Sequence, residues 1–358
     1  MKIVLATGIF PPEIGGPATY VQGLARELAA RGDDVVVLTY GAKQGFEQEN
    51  GYWVFSVGKQ GGPLRRWLRY REELVAHGAK ADYVCAFTSI SAGMPVLMSG
   101  LHHPIKILRL GGDFFWERYT DAGGVMTLRE WYASRFGFWR MLNSLVMNKV
   151  LRCFDKLVYS TEFQREIHMS TYRKLPPSSV ESNAMPEGIF VVHEPRTPFR
   201  LLFMGRFVRF KNIPALIDAM SLLPDARLTI IGEGPMETEL KNRVKKAGLS
   251  ERVSFQTSVS GNAKRHAFDD HDLLVLPSLT EISPNTALEA RAACLPVLLT
   301  EETGLPDIAD VYQRKLRNPA QIAAGVREII KKYPSPRPDT NIRTYQKISD
   351  ALFPPVSR

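Results

Sequence analysis

The chain has little cysteine, no long apolar run and fewer acidic than basic side chains. Three cysteines in 358 residues, at Cys85, Cys153 and Cys294, are too few and too scattered for a disulfide framework or a thiolate metal site. The longest apolar runs fall well short of a membrane span, which takes about 20 residues. A secretory signal would need a longer apolar region than Met1–Thr7 provides. The default expectation is therefore a cytoplasmic location.

Basic residues exceed acidic residues by 46 to 37, which gives the chain a net charge of +9. This excess favours anionic partners, and nucleic acid, an acidic membrane surface and diphosphate ligands all belong to that class. The sequence has no zinc-finger, RNP or helix-turn-helix pattern, so we expect no nucleic-acid partner.

Strand-like apolar runs alternate with helix-like stretches, which is typical of an α/β fold built on doubly wound parallel sheets. In the first half, the predicted strands are Lys2–Thr7, Asp34–Thr39, Asp82–Phe87, Ile105–Leu110 and Asp155–Ser160. An irregular stretch rich in proline and serine, Lys174–Phe199, then interrupts the pattern. In the second half, the predicted strands are Arg200–Met204, Arg227–Ile231, Val253–Phe255, Leu273–Leu276 and Val297–Thr300. We therefore predict one domain over residues 1–185 and another over residues 195–340.

The most informative stretch is Thr280–Ala290, which follows the predicted strand Leu273–Leu276. Glu281 falls in the loop at the carboxyl end of that strand, and Glu289 falls in the first turns of the next helix. Ligands of open α/β sheets bind outside the carboxyl ends of the strands, and the N–H groups of a helix start attract phosphate. Carboxylates accept hydrogen bonds from sugar and ribose hydroxyls. The stretch has the chemistry of a nucleotide-sugar site, and two solvated glutamates, one of them on an ordinary helix, explain these residues equally well. The helix start that would bind the nucleotide comprises Ser283, Pro284, Asn285 and Thr286.

The Glu-x7-Glu spacing and its flanks closely resemble the C-terminal signature of family-4 glycosyltransferases of the GT-B fold. The flanks are Leu276-Pro277-Ser278 before the pair, with Leu295-Pro296-Val297 and Gly304-Leu305-Pro306 after it. The resemblance implies that Glu281 contacts the transferred sugar and that Glu289 contacts the ribose. It also implies two Rossmann-like domains facing a cleft, with residues 341–358 packing back on the first domain.

A second motif follows the first strand of the predicted C-terminal domain. Arg206 and Lys211, with Gly205 before them, resemble the family's residues that hold the donor diphosphate. Their chemistry suits that role, because Arg offers a planar fork for phosphate oxygens and Lys a compact charge. Both would stabilise negative charge on the leaving diphosphate. Gly232 resembles a family glycine beside the nucleotide base, although any tight turn has the same pattern.

Two motifs of the N-terminal half resemble cleft-facing parts of the family, and the loop with Gly15 and Gly16 resembles one that lies near both the donor phosphate and the acceptor. Gly15 and Gly16 follow the first strand and allow close approach of a ligand to the backbone, although such a pair can also form an ordinary turn. Asp113 matches the aspartate of a His-Gly-x-Asp motif and is a candidate for sugar or acceptor contact. Leu110 stands where many relatives carry the histidine, which leaves the chemistry at that position open.

No metal or cofactor is expected. Asp270-His271-Asp272 looks like a metal-binding DxD motif, but it lies immediately before the strand Leu273–Leu276, where acidic residues often mark a polar loop. The resemblance implies that Arg and Lys take the electrostatic role that a divalent cation plays elsewhere. The nucleoside-diphosphate sugar is then a substrate and not a cofactor.

The segment Lys59–Arg71 holds five cations interleaved with Trp67, Leu68 and Tyr70 and contains no acid. A second apolar and partly basic stretch covers Phe136–Met147. Mixed basic and aromatic side chains suit an anionic bilayer surface. A solvated basic face over a buried stripe explains the pattern equally well.

These patterns predict a retaining, metal-independent glycosyltransferase of the hexosyltransferase type. It would move a sugar from a UDP- or GDP-type donor to a glycan or lipid-linked acceptor, in cell-envelope polysaccharide or glycolipid synthesis at the inner face of the membrane. The alternative is a non-catalytic nucleotide-sugar-binding relative or partner subunit. Leu110 supports that alternative, and the set Arg206, Lys211 and Glu281 argues against it.

Overall fold

A computed structural model describes residues 1–13, 15–135, 137–184, 193–334 and 344–355. Up to residue 184 its elements are β1 (Lys2–Ala6), α1 (Gly16–Ala30), β2 (Asp34–Gly41), β3 (Gly45–Glu49), β4 (Tyr52–Gly58), α2 (Pro63–Gly78), β5 (Tyr83–Ala86), α3 (Gly93–Ser99), β6 (Ile105–Leu110), α4 (Phe114–Asp121), α5 (Leu128–Ala133), α6 (Phe138–Arg152), β7 (Lys156–Tyr159), α7 (Glu162–Thr171) and β8 (Ser178–Val180).

From residue 193 onward the elements are β9 (Phe199–Met204), a 3-10 turn (Arg209–Lys211), α8 (Ile213–Ala219), a second 3-10 turn (Met220–Leu222), β10 (Ala226–Ile231), α9 (Glu237–Lys246), β11 (Val253–Gln256), α10 (Gly261–Asp269), β12 (Leu273–Leu276), α11 (Asn285–Ala292), β13 (Val297–Thr300), β14 (Val311–Arg314), α12 (Pro319–Lys331) and α13 (Tyr345–Leu352). The alternation of strands and helices is the one that the apolar pattern predicts, although β3, β4, β8 and β14 were not predicted, and β8 lies in the stretch that the sequence indicates as irregular.

The chain divides into two compact units. The first comprises Met1–Phe115, Ser134–Ala184 and Arg343–Arg358, and the second comprises Trp116–Ala133 and Met185–Ile342. The predicted linker, Lys174–Phe199, includes residues 185–192, which lie outside the described residues.

In the described residues of the first unit, the strands form one sheet in the order β3-β4-β2-β1-β5-β6-β7-β8. All neighbours are parallel except β3 and β4. The strand order reverses between β1 and β5, which is the topological switch point of a doubly wound sheet. Because both faces of the sheet are covered, β1 and β5 are apolar along almost their whole length.

Helix α13 packs on α1 in the first unit. The ring of Tyr345 lies 5.8 Å from that of Tyr20, and a Cβ atom on Gly23 would lie only 2.3 Å from the Tyr345 ring. Phe353 packs on Tyr83, at 5.4 Å between ring centroids. The absence of a side chain at Gly23 therefore lets the last helix approach α1 closely.

In the described residues of the second unit, six parallel strands form a sheet in the order β11-β10-β9-β12-β13-β14. The core includes Leu201, Phe203, Leu274 and Leu298, which are fully buried. Here the order reverses between β9 and β12, so the ligand-binding edge of this sheet lies where those two strands end.

One segment of the predicted N-terminal domain packs with the second unit. The sequence pattern assigns residues 1–185 to a single domain, but Trp116–Ala133 belongs to the second unit. Trp116 packs on Phe210 at 5.2 Å between ring centroids, the amide of Leu128 donates to Thr280 Oγ1 at 2.9 Å, and Arg317 pairs with Glu130 at 2.7 Å. The two residues of each contact are distant in sequence, so no local sequence pattern predicts these contacts.

Candidate functional site

The residues of the second unit that the sequence singles out meet at its switch point. Lys211 follows β9 and Glu281 follows β12, and these two strands are hydrogen-bonded neighbours. The amide of Leu279 donates to the carbonyl of Phe210 at 2.7 Å, which ties the two loops together through their backbones. Two segments that are about seventy residues apart in sequence are thereby brought into contact at one edge of the sheet.

The Lys211 ammonium and the Glu281 carboxylate form an ion pair. Lys211 Nζ lies 2.6 Å from Glu281 Oε1, and Ser278 Oγ donates to the same oxygen at 2.5 Å. Only 5% of the Glu281 side chain and 16% of the Lys211 side chain are exposed. A buried carboxylate needs such partners, because an uncompensated buried charge costs several kcal/mol. Within the described chain, both side-chain contacts fall on Oε1, so Oε2 is the atom that remains for a ligand hydroxyl.

The backbone of Glu281 is also fixed. Its amide donates to the carbonyl of Glu302 at 2.8 Å, and its carbonyl accepts from the amide of Gly304 at 2.9 Å. These bonds form a short parallel bridge between Glu281 and Thr303, in the loop after β13. Three successive loops at the carboxyl edge of the sheet therefore hold Glu281 in place.

The loop that contains Arg206 packs against Gly232 and Gly234. The amide of Gly205 donates to Ile231, and the amide of Phe207 donates to Glu233. A Cβ atom at Gly232 would lie 2.0 Å from the Gly205 carbonyl oxygen, and one at Gly234 would lie 2.6 Å from the Phe207 carbonyl oxygen. Gly232, which the sequence associates with the nucleotide, thus packs directly against the Arg206 loop. Gly205 itself has room for a side chain, since its nearest neighbour would be Phe203 at 3.7 Å.

The Arg206 guanidinium is about half exposed and faces a carboxylate. Its Nη2 atom lies 3.3 Å from Glu117 Oε2 in the segment Trp116–Ala133. An exposed guanidinium can bind an anion. In this structure the Glu117 carboxylate is the anion beside Arg206. Trp116, next to Glu117, is buried and donates to the Met126 carbonyl, so its role is packing.

Glu289 is positioned by α11 and is also ion-paired. Its carboxylate lies 2.5 Å from Lys264 Nζ on α10, and 23% of the Glu289 side chain is exposed. At the start of α11, Pro284 is buried while Ser283, Asn285 and Thr286 are partly exposed. The sequence therefore places these residues beside Glu281 as expected, but it does not reveal Lys264 as the partner of Glu289.

In the first unit, Gly15 and Gly16 lie at the start of α1. Gly15 is half-buried and caps the helix, and Gly16 is exposed as its first residue. A Cβ atom on Gly15 would lie 2.7 Å from the Ile9 side chain. This loop follows β1 and therefore lies at the switch point of the first sheet.

Asp113 is buried, whereas a side chain that contacts a ligand directly is expected to be partly exposed. Its carboxylate is fully buried, and its Oδ2 atom lies 3.5 Å from His168 Nε2 on α7. Gln164, one turn earlier on α7, donates to the Gly112 carbonyl at 2.8 Å. Leu110, at the position of the family's histidine, is buried in the sheet. A histidine does accompany Asp113, but it comes from α7, and only the tertiary structure shows this.

The motif Asp270-His271-Asp272 lies at the amino end of β12, whereas Glu281 follows its carboxyl end. The buried Asp272 carboxylate accepts from Arg196 Nη1 at 2.8 Å and from the Arg200 amide at 2.8 Å. Burial lowers the pKa of His271, whose ring contacts the Ala267 carbonyl. Among the described residues, no group of three or more histidine, cysteine or acidic side chains could hold a metal ion. Asp272 therefore has a structural role.

A carboxyl group that the sequence does not single out lies next to the site. Burial raises the pKa of Glu302, while the nearby Arg129 and Arg317 act in the opposite direction. Its backbone carbonyl is the acceptor for the Glu281 amide.

The basic stretch Lys59–Arg71 is less available than its sequence suggests. Tyr70 is fully buried and donates to the Thr7 and Leu38 carbonyls. Arg69 donates to the Gly58 carbonyl at 2.8 Å, and Arg71 donates to the Met98 carbonyl at 2.8 Å. Two of the five cations and one aromatic ring therefore hold the first unit together.

Comparison with known proteins agrees with this architecture. Residues 15–180 match the family model of the glycosyl transferase 4-like domain, and residues 186–347 match that of glycosyl transferases group 1. The chain is 27% identical to the uncharacterized glycosyltransferase MJ1607 of Methanocaldococcus jannaschii, over 92% of this chain and 89% of that protein.

Solved structures share the fold at low sequence identity. The Anabaena protein HepE in complex with UDP-glucose superposes with a TM-score of 0.72 at 14% identity, over 98% of this chain and 95% of that one. WaaG, a glycosyltransferase involved in lipopolysaccharide biosynthesis, superposes with a TM-score of 0.70 at 17% identity, over 99% and 100%. Two Rossmann-like units of this kind define a GT-B glycosyltransferase. This chain belongs to the glycosyl transferases group 1.

Proposed function

We propose that this protein transfers a sugar from a nucleoside-diphosphate sugar to an acceptor hydroxyl, with retention of the anomeric configuration and without a metal ion. The observation that carries the proposal is the buried Lys211–Glu281 pair at the switch point of the second sheet, with Arg206 in the same loop as Lys211. The binding of UDP-glucose by HepE, which shares the fold, supports a nucleotide-sugar donor.

The donor fits the chemistry of these loops. Arg206 and Lys211 supply two positive charges for the diphosphate, and the start of α11 at Ser283–Thr286 supplies backbone amides. Glu281 accepts hydrogen bonds from hydroxyls of the transferred sugar, and Glu289 accepts from the ribose. Gly232 packs on the Gly205 carbonyl and so sets the position of the loop that would lie beside the nucleotide.

In the reaction, the bond between the sugar C1 and the diphosphate oxygen breaks, and a bond from C1 to the acceptor oxygen forms on the same face. The acceptor's proton passes to the leaving phosphate oxygen. Arg206 and Lys211 stabilise the negative charge that grows on the diphosphate, which is the role that a divalent cation plays elsewhere. No cofactor takes part, and the nucleotide sugar is consumed as a substrate.

We assign the acceptor to the first unit, with Gly15 and Gly16 at its switch point. Asp113, which lies 3.5 Å from His168 Nε2, is the candidate for sugar or acceptor contact in this unit. The acceptor is a glycan or a lipid-linked sugar of cell-envelope polysaccharide or glycolipid synthesis, and WaaG's part in lipopolysaccharide biosynthesis supports that class. The enzyme works on the cytoplasmic side, at the inner face of a membrane. In the described part of the chain, no helix has the length and apolar content needed to cross a bilayer.

The alternative is a non-catalytic relative that binds nucleotide sugars, and Leu110 at the histidine position favours it. Incubation with a panel of UDP-, GDP- and ADP-sugars separates the two, because a transferase hydrolyses its donor slowly when no acceptor is present. We expect hydrolysis of one donor, its loss in Lys211→Ala, and its retention in Lys241→Ala. Lys241 is a matched control because it forms an exposed ion pair with Glu237 on α9. Donor binding without hydrolysis of any sugar would favour the alternative.

A further inference from the structure

Helix α6 leaves an apolar face uncovered. Phe138, Trp139, Met141, Leu142 and Leu145 each expose between 43% and 73% of their surface, and they fall within eight consecutive residues. Single exposed hydrophobic residues are ordinary on soluble proteins, but a contiguous group marks an interaction surface.

The orientation of α6 shows that this face is not part of the core. Phe138, Met141, Leu142 and Leu145 follow the i, i+3, i+4, i+7 spacing that places side chains on one side of a helix. The buried residues of α6 are Met147, Val150 and Leu151, in its second half. Val150 packs against α3, where a Cβ atom on Gly93 would lie 2.9 Å from Val150 Cγ1. The second half of the helix is therefore anchored to the first unit while its first half presents apolar side chains outward.

The charged side chains of α6 and of the residues just before it have one sign. Lys149 and Arg152 are exposed and continue the apolar stripe toward the end of α6, and the exposed Arg135 precedes the helix. The sequence from Ser134 to Phe154 contains no acidic residue. An apolar stripe with aromatic residues at one end and cations along it is the pattern of a helix that lies in the interface of an anionic bilayer.

Helix α2 carries further exposed apolar side chains in the same unit. Its Leu64 and Leu68 expose 60% and 39% of their surface, and Arg65 beside them is exposed. Helix α3 packs against both α2 and α6, so the two helices belong to one layer of the first unit. The surface therefore combines the basic segment that the sequence indicates with an apolar face that the sequence indicates only weakly.

We propose that α6 is the membrane-binding element of this protein, with Phe138, Trp139, Met141, Leu142 and Leu145 inserted among the headgroups of an anionic phospholipid bilayer. The basic side chains of α6 and α2 contact the lipid phosphates. This proposal names the element responsible for the peripheral membrane location proposed above, and it rests on that location. It does not depend on the identity of the donor. A bound bilayer would present a lipid-linked acceptor to the unit that we assign to the acceptor.

Co-sedimentation with vesicles of phosphatidylcholine alone, or of phosphatidylcholine mixed with phosphatidylglycerol, tests the surface. The full chain should bind the anionic vesicles, and binding should fall as salt rises. The triple variant Phe138→Ser, Trp139→Ser, Leu145→Ser should lose tenfold or more of its affinity, because each buried large apolar side chain contributes about 1.5–3 kcal/mol and tenfold is about 1.4 kcal/mol.

The matched control is the triple variant Met169→Ser, Leu222→Ser, Ile330→Ser, which removes three other exposed apolar side chains and should bind vesicles like the wild type. The pair Lys149→Ser, Arg152→Ser should lose the preference for anionic lipid and keep part of the affinity. Each variant is also assayed for UDP binding by thermal shift, which reports that it folds and tests the donor site separately.

Three results would overturn the proposal. The wild type could ignore anionic vesicles at low salt, or the α6 triple variant could bind them as well as the wild type. Alternatively, the chain could form a dimer in solution that the α6 variant dissociates, which would make this face a contact between copies. Failure of the wild type to bind UDP would instead contradict the proposed donor site. It would not affect the conclusion about bilayer binding.

Discussion

Lys211 Nζ lies 2.6 Å from Glu281 Oε1, although the two residues are 70 positions apart in the chain. The pair joins the residue that we assign to the diphosphate to the residue that we assign to the sugar. Ser278 donates to the same carboxylate oxygen, so Glu281 is fixed by two donors on one side. We therefore expect binding of the donor and folding of the second unit to be coupled through this buried carboxylate.

The first prediction follows from that coupling. Lys211→Ala leaves the Glu281 carboxylate buried without its cation, so we expect it to destabilise the protein by about 3–5 kcal/mol. Glu281→Gln added to Lys211→Ala should recover part of the loss, because the remaining group is neutral and still accepts from Ser278. Urea unfolding of the two single variants and the double variant measures the coupling, for which we expect about 0.5–3 kcal/mol. Strict additivity would show that the two side chains do not interact in solution.

The second prediction is that substitutions at Arg206 and Glu117 change the affinity for the donor in opposite directions. Arg206→Ala should weaken donor binding, since a lost hydrogen bond to a charged group costs about 1.5–3 kcal/mol. Glu117→Gln should strengthen donor binding, because the carboxylate competes with the donor phosphate for the guanidinium. The pair is largely exposed, so the gain should not exceed about 1 kcal/mol. Calorimetric titration with UDP measures both effects, and weaker binding by Glu117→Gln would instead make Glu117 a residue that orients Arg206.

The third prediction concerns metal removal. EDTA should leave sugar transfer nearly unchanged, because Arg206 and Lys211 supply the positive charge at the leaving group. Asp270→Ala, which alters the exposed acid of the Asp270–Asp272 motif, should also leave transfer unchanged. Activity that is lost with chelator and restored with manganese or magnesium would contradict the prediction.

The fourth prediction tests the support of the Arg206 loop. Gly232 has a φ of +148°, and an added Cβ would lie 2.0 Å from the Gly205 carbonyl oxygen, so Gly232→Ala must displace the loop. We expect a lower melting temperature together with weaker UDP binding. Gly248→Ala is the matched control, because Gly248 also has a positive φ, of +67°, but an added Cβ there would meet nothing within 4 Å. It should cost only the backbone strain of about 1–2 kcal/mol and leave UDP binding intact.

Most of the strands that the sequence predicts are buried on both faces, and the partly exposed edge strand β11 (Val253–Gln256) is an exception. Leu273–Leu276 is a continuous apolar run, and β12 has these same bounds. In contrast, β3 (Gly45–Glu49) is almost wholly exposed at the edge of its sheet, and β14 (Val311–Arg314) is only partly buried, so neither shows a strong apolar pattern. Edge strands depend on pairing with a neighbour more than on their own composition.

The candidate site residues also divide into those that the sequence reveals and those that it does not. Glu281, Lys211 and Arg206 could be found from motifs, because each lies just after a recognisable strand. Their partners could not: Ser278 is visible as a flanking residue but not as a donor, and Glu117 lies 89 positions from Arg206. Such partners are determined by which loops the tertiary fold brings together.

The last prediction is a pH dependence of stability at Glu302. Burial raises the pKa of this carboxyl above its usual range, so the folded protein favours the neutral form. A raised folded pKa gives a stabilisation that is fully present below the unfolded value, about 4.3, and is lost as the pH rises through the folded value. Glu302→Gln cannot ionise, so its melting temperature relative to the wild type should rise as the pH increases above about 4.3, until Glu302 is ionised in the folded wild type as well. Glu328→Gln is a control of opposite sign, because the Arg314 guanidinium lowers the pKa of Glu328. Its melting temperature relative to the wild type should fall as the pH rises toward about 4.3 and stay constant above that value. Melting temperatures that keep a constant difference between Glu302→Gln and the wild type as the pH rises above about 4.3 would show that Glu302 titrates normally in the folded protein.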